Sequence, residues 1–556
     1  MNSATLMNHN QATNAGVRNY ALLFVGCVLF HIAGTWNLPL IDRDEPRFAE
    51  ASREMIERGD YVVPYFNNHL RFDKPPLTYW AQIASYKVFG ENDFAARFPS
   101  TIAAALTALS IFAWGSRLRS PRRPSASQAR VGTARVGWWS AIIFTLSLQT
   151  FLHAKAAVAD MWLVLFVTLA HWAGYELIQL STLNAQRSTP NTEETDQTSN
   201  IKHQTSLGWW ITFYVALAFG FLAKGPIAWI PILTVGSTFF FVRETQLGTR
   251  FRFVRGILLM LSIVAVWGIP ALIQTQGQFF SVGIGQHVIG RSLATMEGHG
   301  ANSFGTYLLL LPFYFVTIFL SFFPWSIKLP WLIPKLLGEN KAGIIRLRQS
   351  SRRSRFGGVG GDVGQADPGY NESDKIDNYL LIGAGIIFVI FTLVKTKLPH
   401  YTLPAFPLLA LLLARRLAAE NASRFFRNCV LASAPAYLAI ALIVPPFVSR
   451  FFPAYQLFQE SRAYLQPDMQ FASVDFEEPS LVWYFRSRVH GFLVPLNNRR
   501  AAEFMQSSGP RFVVLPTSIA GTLFAEHPEN LKMFSTHGFN IAKGKRIDLT
   551  LVLKPE

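Results

Sequence analysis

The sequence predicts an α-helical polytopic membrane protein carrying a small α/β domain beyond its last membrane span, and three observations predict it. Half of the 556 residues are hydrophobic and only 15% are charged, with a mean hydropathy of +0.23, which exceeds what a soluble chain of this length needs for its cores. Apolar runs long enough to span recur through the first 450 residues. Beyond Pro467 these give way to short apolar segments alternating with polar turns.

The elements follow in order. The first run, Tyr20 to Ile41, has no small-residue cleavage site and leads directly into Asp42, so it reads as an uncleaved span and not a signal peptide. A span needs ~20 apolar residues, and that criterion gives about eleven spans. They lie near residues 20–41, 97–117, 136–153, 158–180, 208–223, 226–242, 256–274, 304–327, 379–394, 402–414 and 428–448. Arginines crowd alternate connections: Arg117 to Arg135, Arg243 to Arg255, Arg346 to Arg355, and Arg415 to Arg427. Lys and Arg mark cytoplasmic connections, so the N-terminus is expected inside. The net charge of +17 (51 basic against 34 acidic residues) is then mostly a topology signal, and no nucleic-acid partner is needed to explain it.

The same parity sends the other connections outside: 42–96, His153 to Asp160, Ala223 to Pro226, Thr275 to Ser303, Lys395 to Tyr401, and everything after the last span. These hold the unusual polar residues, including Asp42-Arg43-Asp44-Glu45-Pro46-Arg47 and Asp73-Lys74-Pro75-Pro76. Charges at the exit of a span are costly to place and point to chemistry on a charged substrate at the bilayer surface. Within the first outer loop, Glu45 to Arg58 has an amphipathic helical pattern that Gly59-Asp60 ends. Tyr61 to Phe66 reads as extended, Asn67-Asn68 as a turn and Pro76 to Phe89 as a second helix. Ser181 to Ser206 and Gln349 to Tyr370 have compositions that do not support a packed core.

In the C-terminal region, Met469 to Val474, Phe492 to Pro495 and Arg511 to Leu515 read as strands, and Ser480 to Arg486 and Arg500 to Met505 as helices. The expected division is a membrane domain over 1–450 and a small α/β domain over 467–556. That domain has no Gly-rich phosphate loop and reads as an accessory. Cys27 and Cys429 both fall in apolar runs and offer no disulfide framework or thiolate metal site.

Asp44-Glu45-Pro46-Arg47-Phe48-Ala49-Glu50, then Ser52-Arg53-Glu54-Met55, Gly59-Asp60 and Asp73-Lys74-Pro75 with Tyr79-Trp80, resemble the first outer loop of bacterial lipid A aminoarabinose transferases and of protein O-mannosyltransferases. These are GT-C integral-membrane glycosyltransferases. The resemblance continues in the same order at Ala159-Asp160, Lys224-Gly225, Gln286-His287 with Arg291, and Lys395 to Pro404.

The resemblance implies transfer of a sugar from a polyprenyl-phosphate carrier to an acceptor at the periplasmic face of the bacterial inner membrane. An inverting transfer needs a carboxylate to take the acceptor's proton, and Asp44 is the candidate base. The leaving lipid phosphate needs cations, a role that suits Arg47, Lys74 and Arg291. Each cation also reads as a snorkelling or headgroup contact. Lys224, Lys395 and Lys397 are further phosphate or sugar contacts, and Glu45 and Asp160 have orienting roles. Tyr79 and Tyr401 line the sugar pocket or serve as ordinary interfacial anchors.

Asp73 and His287 together suit a divalent cation as in the aminoarabinose branch, where the first of them is Glu. The shorter Asp here equally suits a hydrogen-bonded Asp–His pair without metal. The chain carries about two fewer spans than those enzymes before its soluble domain, so lipid A, a protein hydroxyl and another envelope glycan stay open as acceptors. Two other readings remain: a polytopic lipid or solute transporter, and a lipid-linked glycan ligase. A transporter places its ionisable groups near the bilayer midplane on paired halves, whereas these acids sit at or beyond span ends. A ligase lacks the acidic loop directly behind its first span.

Overall fold

The structure is a computed structural model that describes residues 3–118, 126–187, 196–242, 250–290, 303–335, 338, 372–525, 530–540 and 543–555. The chain is a mostly helical, multi-span membrane protein with a small C-terminal sheet domain. It divides into two compact units, one of Met1–Val28, Ala103–Leu152 and Asp160–Ala434, the other of Leu29–Ile102, His153–Ala159 and Pro435–Glu556.

The first unit is a helix assembly. Its centre is the Phe406–Ala419 helix, buried along nearly its whole length and packed against the Ala126–Thr145 and Glu372–Leu393 helices. Without a hydrophobic drive between helices in lipid, close approach depends on small residues, and Gly115 and Gly137 provide it. A Cβ added at Gly115 would lie 2.9 Å from the Gly137 Cα, so alanine there would push the helices apart. By contrast, the Phe253–Gln274 helix exposes Val254, Val266 and Ile273, apolar surface suited to acyl chains. At one end of the assembly Asp377 receives Arg415 Nε and Arg416 Nη2, each at 2.8 Å. These two arginines are therefore buried ion-pair partners as well as carriers of the charge bias.

Among the described residues, seven helices are long and apolar enough to cross a membrane, and two shorter apolar helices cover Gly16–Ile32 and Pro226–Thr238. The hydropathy reading of about eleven spans differs for local reasons. The first helix ends at Ile32, not Ile41, where Gly34 turns the chain at φ +78°. The expected 304–327 span is three pieces, Phe304–Leu309, Phe313–Ser321 and Trp325–Lys328. Pro312 and Pro324 lie at its breaks, and proline cannot continue a helix from within.

The second unit contains the first loop and the sheet domain. The Asp44–Arg58 helix opens with two acids in its first turn, which complement the helix dipole, and closes at Gly59, φ +65°. The hairpin of β1 (Tyr65–Phe66) and β2 (His69–Leu70) turns through Asn67 and Asn68, both at positive φ, a tight-turn geometry that asparagine tolerates. The Leu77–Phe89 helix follows. Phe48, Ala51 and Met55 of the first loop helix close on Tyr79 and Ile83 of the second.

The sheet domain has five strands in the order β4-β3-β5-β7-β6, namely Leu493–Leu496, Gln470–Val474, Arg511–Pro516, Lys545–Lys554 and Lys532–Asn540. β3 runs parallel to β4 and β5, while β7 runs antiparallel to β5 and β6. The Pro479–Phe485 and Asn498–Gln506 helices link the parallel strands and enter separate cores, Leu481, Val482 and Phe485 in one and Ala501 and Met505 in the other. The loop and the domain share a further core, in which Leu40, Ala49, Tyr86 and Ala96 pack with Trp483 and Tyr484.

Candidate active site

The base of the first loop is fixed by one carboxylate. Glu45 is buried, receives Arg97 Nη2 at 2.7 Å and Nε at 3.0 Å, and accepts the backbone amides of Ile41 at 2.7 Å and Ala157 at 2.6 Å. Arg97 uses its remaining donors on the carbonyls of Thr35, Leu38 and Pro39. Lys155 donates to the carbonyls of Phe30, His31 and Ala33 at 3.1, 2.7 and 2.7 Å. These carbonyls are helix-end acceptors that need partners. Burial, helped by the charge of Arg97, pushes the Lys155 ammonium down to about 7.

On this frame Asp44 stands exposed in the first turn of its helix. One turn on, Phe48 stacks with Tyr79 at 5.3 Å. Arg71, directly after β2, is buried beneath them, with Nη2 3.1 Å from Asp73 Oδ2 and Nε donating to the Tyr79 hydroxyl at 3.0 Å. Lys74 Nζ donates to the Asp73 carbonyl at 3.1 Å. Burial opposes the charge on Arg71, but Tyr79, Asp73 and Asp44 together raise its pKa. Tyr79 is raised by burial, with Arg71 acting the other way. Asp73 and Tyr79 thus meet on one guanidinium, Lys74 is tied to the Asp73 backbone, and the charge of Asp44 acts on the same guanidinium.

Asp42 lies beside this group and binds the sheet domain. Its carboxylate accepts Ser480 N at 2.8 Å and Ser480 Oγ at 2.5 Å. Burial pushes it up to about 7, against the pull of both Ser480 hydrogen bonds and of Arg47, with Glu478 adding to the rise. Arg47, half-buried, therefore acts on Asp42. Deeper in the same unit, Arg53 donates to Glu50 and Glu91 at 2.7 and 2.8 Å and to the Trp483 carbonyl at 2.9 Å. Arg486 reaches Glu50 and, at 2.7 Å, Glu57. Burial drives the Glu50 carboxyl up to about 7 even with Arg53 and Arg486 acting against it.

Other predicted residues gather in the first unit. Asp160, the first residue of its helix, accepts Lys224 Nζ at 2.5 Å, and His400 Nε2 is 3.9 Å away. The Lys224 ammonium is 5.7 Å from the centre of the Tyr401 ring. Lys397 is placed differently from a substrate contact: it is buried and donates to the carbonyls of Phe391 and Thr392 at 3.0 and 2.5 Å, closing the end of the Glu372–Leu393 helix. Burial pulls its pKa down.

The His287 side chain and Arg291 lie outside the described residues. The expected cation site on Asp73 and His287 meets an obstacle at its first member, since the Arg71 guanidinium already occupies that carboxylate. Asp160 and His400 are donors close enough to share a cation, but Lys224 is on the same carboxylate oxygen. In both places one carboxylate oxygen is already paired with a protein cation. Sequence reasoning missed Arg71, Arg97 and Ser480. Arg97 alone left a signal, as an arginine at the first position of an otherwise apolar run.

No family model matches the chain. It is 28% identical over 417 residues to the undecaprenyl phosphate-α-4-amino-4-deoxy-L-arabinose arabinosyl transferase of Edwardsiella ictaluri, a match covering 73% of this chain and 61% of that one. The transferase of the same name from Aeromonas hydrophila is 26% identical over 407 residues, 72% of this chain and 60% of its own. An uncharacterised Aquifex aeolicus protein is 30% identical over 239 residues, 43% and 45% of the two chains. The chain thus spans less than two thirds of the length of these curated relatives. In fold it is similar to ArnT from Cupriavidus metallidurans bound to undecaprenyl phosphate, with a TM-score of 0.64, 16% identity and coverage of 96% and 98%.

Proposed function

We infer that this chain is an aminoarabinose-transferase-like membrane glycosyltransferase of GT-C type, and we propose that it moves a glycosyl group from a polyprenyl-phosphate donor to an envelope acceptor. The reaction is placed at the periplasmic face of the bacterial inner membrane, where the positive-inside bias puts the first loop. The names of the Edwardsiella and Aeromonas relatives support an undecaprenyl-phosphate-linked amino sugar as donor class.

The observation that carries the reading is the exposed Asp44 carboxylate beside the Arg71, Asp73, Lys74 and Tyr79 cluster. In the proposed step Asp44 takes the proton of an acceptor hydroxyl as its oxygen attacks the anomeric carbon. The bond from that carbon to the phosphate oxygen breaks, and the electron pair leaves on the lipid phosphate. That group departs as an anion, so cations and not a proton donor stabilise it; Arg47 and Lys74 serve there. Lys224 with Tyr401, and Arg291, are secondary candidates for phosphate and sugar contacts.

The test is Asp44→Asn, assayed in proteoliposomes for label transferred from a radiolabelled polyprenyl-phosphate sugar. Loss of about 10²–10⁴-fold in rate, typical of a missing general base, is expected. Undiminished transfer would remove Asp44 from the chemistry.

A further inference from the structure

We propose that Arg71 is the positioning residue of this site: from beneath the loop it holds the Asp44 helix and the Asp73-Lys74 turn in register by charge. The inference rests on the transferase reading for its consequence but not for its geometry. Arg71 is anchored at its backbone, where its amide donates to the Pro64 carbonyl at 2.9 Å across the hairpin. Its side chain then runs inward and is shared by three elements. It meets Asp73 at 3.1 Å on the turn and the Tyr79 hydroxyl at 3.0 Å on the second loop helix. Its guanidinium centre is 5.4 Å from the Phe48 ring on the first loop helix.

Phe48 lies four residues after Asp44, on the same face of that helix. The guanidinium under Phe48 is therefore also under the turn that presents Asp44, and the electrostatic coupling of Arg71 with Asp44 follows from this placement. Two carboxylates near one point repel each other, and a permanent cation between them offsets that repulsion. Lys74, fixed to the Asp73 carbonyl, follows wherever Arg71 sets Asp73. Arg71 is buried, so we assign its effect to Asp44, Asp73 and Lys74 and not to direct contact with substrate.

The experiment compares Arg71→Gln and Arg71→Lys in the full-length protein. Arg71→Gln is expected to lower kcat about 10²-fold, the scale of a small misplacement of reacting groups, with the donor KM unchanged within about twofold. Arg71→Lys restores the charge and should recover most of that loss, which a merely structural role of the fork would not allow. A loss confined to KM, equal losses in both variants, or wild-type kcat in Arg71→Gln would each overturn the proposal. Amide hydrogen exchange separates this inference from the transferase reading. Faster exchange in both 44–48 and 71–76 of Arg71→Gln is expected whether or not the wild type transfers sugar; unchanged exchange refutes the positioning role even if transfer is real.

Discussion

Asp42 shows what a single side chain does to the whole unit. Its carboxyl is raised from 3.8 to about 7 by burial, despite two hydrogen bonds from Ser480 that favour the ionised form. Below 3.8 both the folded and the unfolded chain hold its proton; between 3.8 and about 7 only the folded chain does. Stability therefore falls as pH rises through that window. Asp42→Asn keeps an acceptor for Ser480 and removes the charge. It is expected to melt a few degrees above wild type at pH 8 and level with it at pH 4, as followed by thermal unfolding in detergent. A difference that stays constant between those two values would exclude Asp42 as its source. At this scale the charged run 42–47 and the Asp73-Lys74 pair were legible as clusters because they are contiguous. Their partners were not: Ser480 and Arg97 are distant along the chain, and only folding brings them to Asp42 and Glu45.

Among the elements, the contact between the Asp44–Arg58 and Pro479–Phe485 helices depends on buried charge. Arg486, at the end of the latter, faces Glu50, Glu54 and Glu57 of the former. Removing one partner of a buried pair leaves an uncompensated charge, at a cost of about 3–5 kcal/mol. Arg486→Met is expected to lose that much by denaturant titration, and adding Glu50→Gln should recover part of it, since Glu50 is buried beneath Arg486. No recovery in the double variant would mean that Arg486 acts by packing over Phe492 instead of by charge.

Element reading from sequence succeeded where patterns were local. The strands expected at Met469 to Val474 and Arg511 to Leu515 lie within a residue of β3 and β5. It failed where proline interrupts an apolar run, as at Pro312, and at β6 and β7, which it left unassigned; the mixed Ser, Thr, His and Gly of β6 lack a clear two-residue period. Partner strands are selected by the whole sheet, and a hydropathy window carries no information about them.

For the whole molecule, segments far apart along the chain fold together. The first loop and the sheet domain form one compact unit with a common core. A chain cut after residue 452 should then leave the loop open, with trypsin cleaving after Arg53, which the Trp483 carbonyl and ring otherwise cover. Mass spectrometry of the fragments checks this; a truncated chain resistant at Arg53 would show that the loop folds alone. The proposed transfer activity should fall with it, since the proposed base Asp44 rides on the same helix.

The placement of β7 between β5 and β6 sets a timetable for manufacture. Residues 42–102 leave the ribosome long before 545–554, and at about 5–20 residues per second the interval is on the order of half a minute or more. For most of it the acids destined for Arg486 and Ser480 stand wet and unmatched, and until its end β5 and β6 lack the strand that joins them. Assembly of this loop against its sheet domain is thus a late, closing act of biosynthesis.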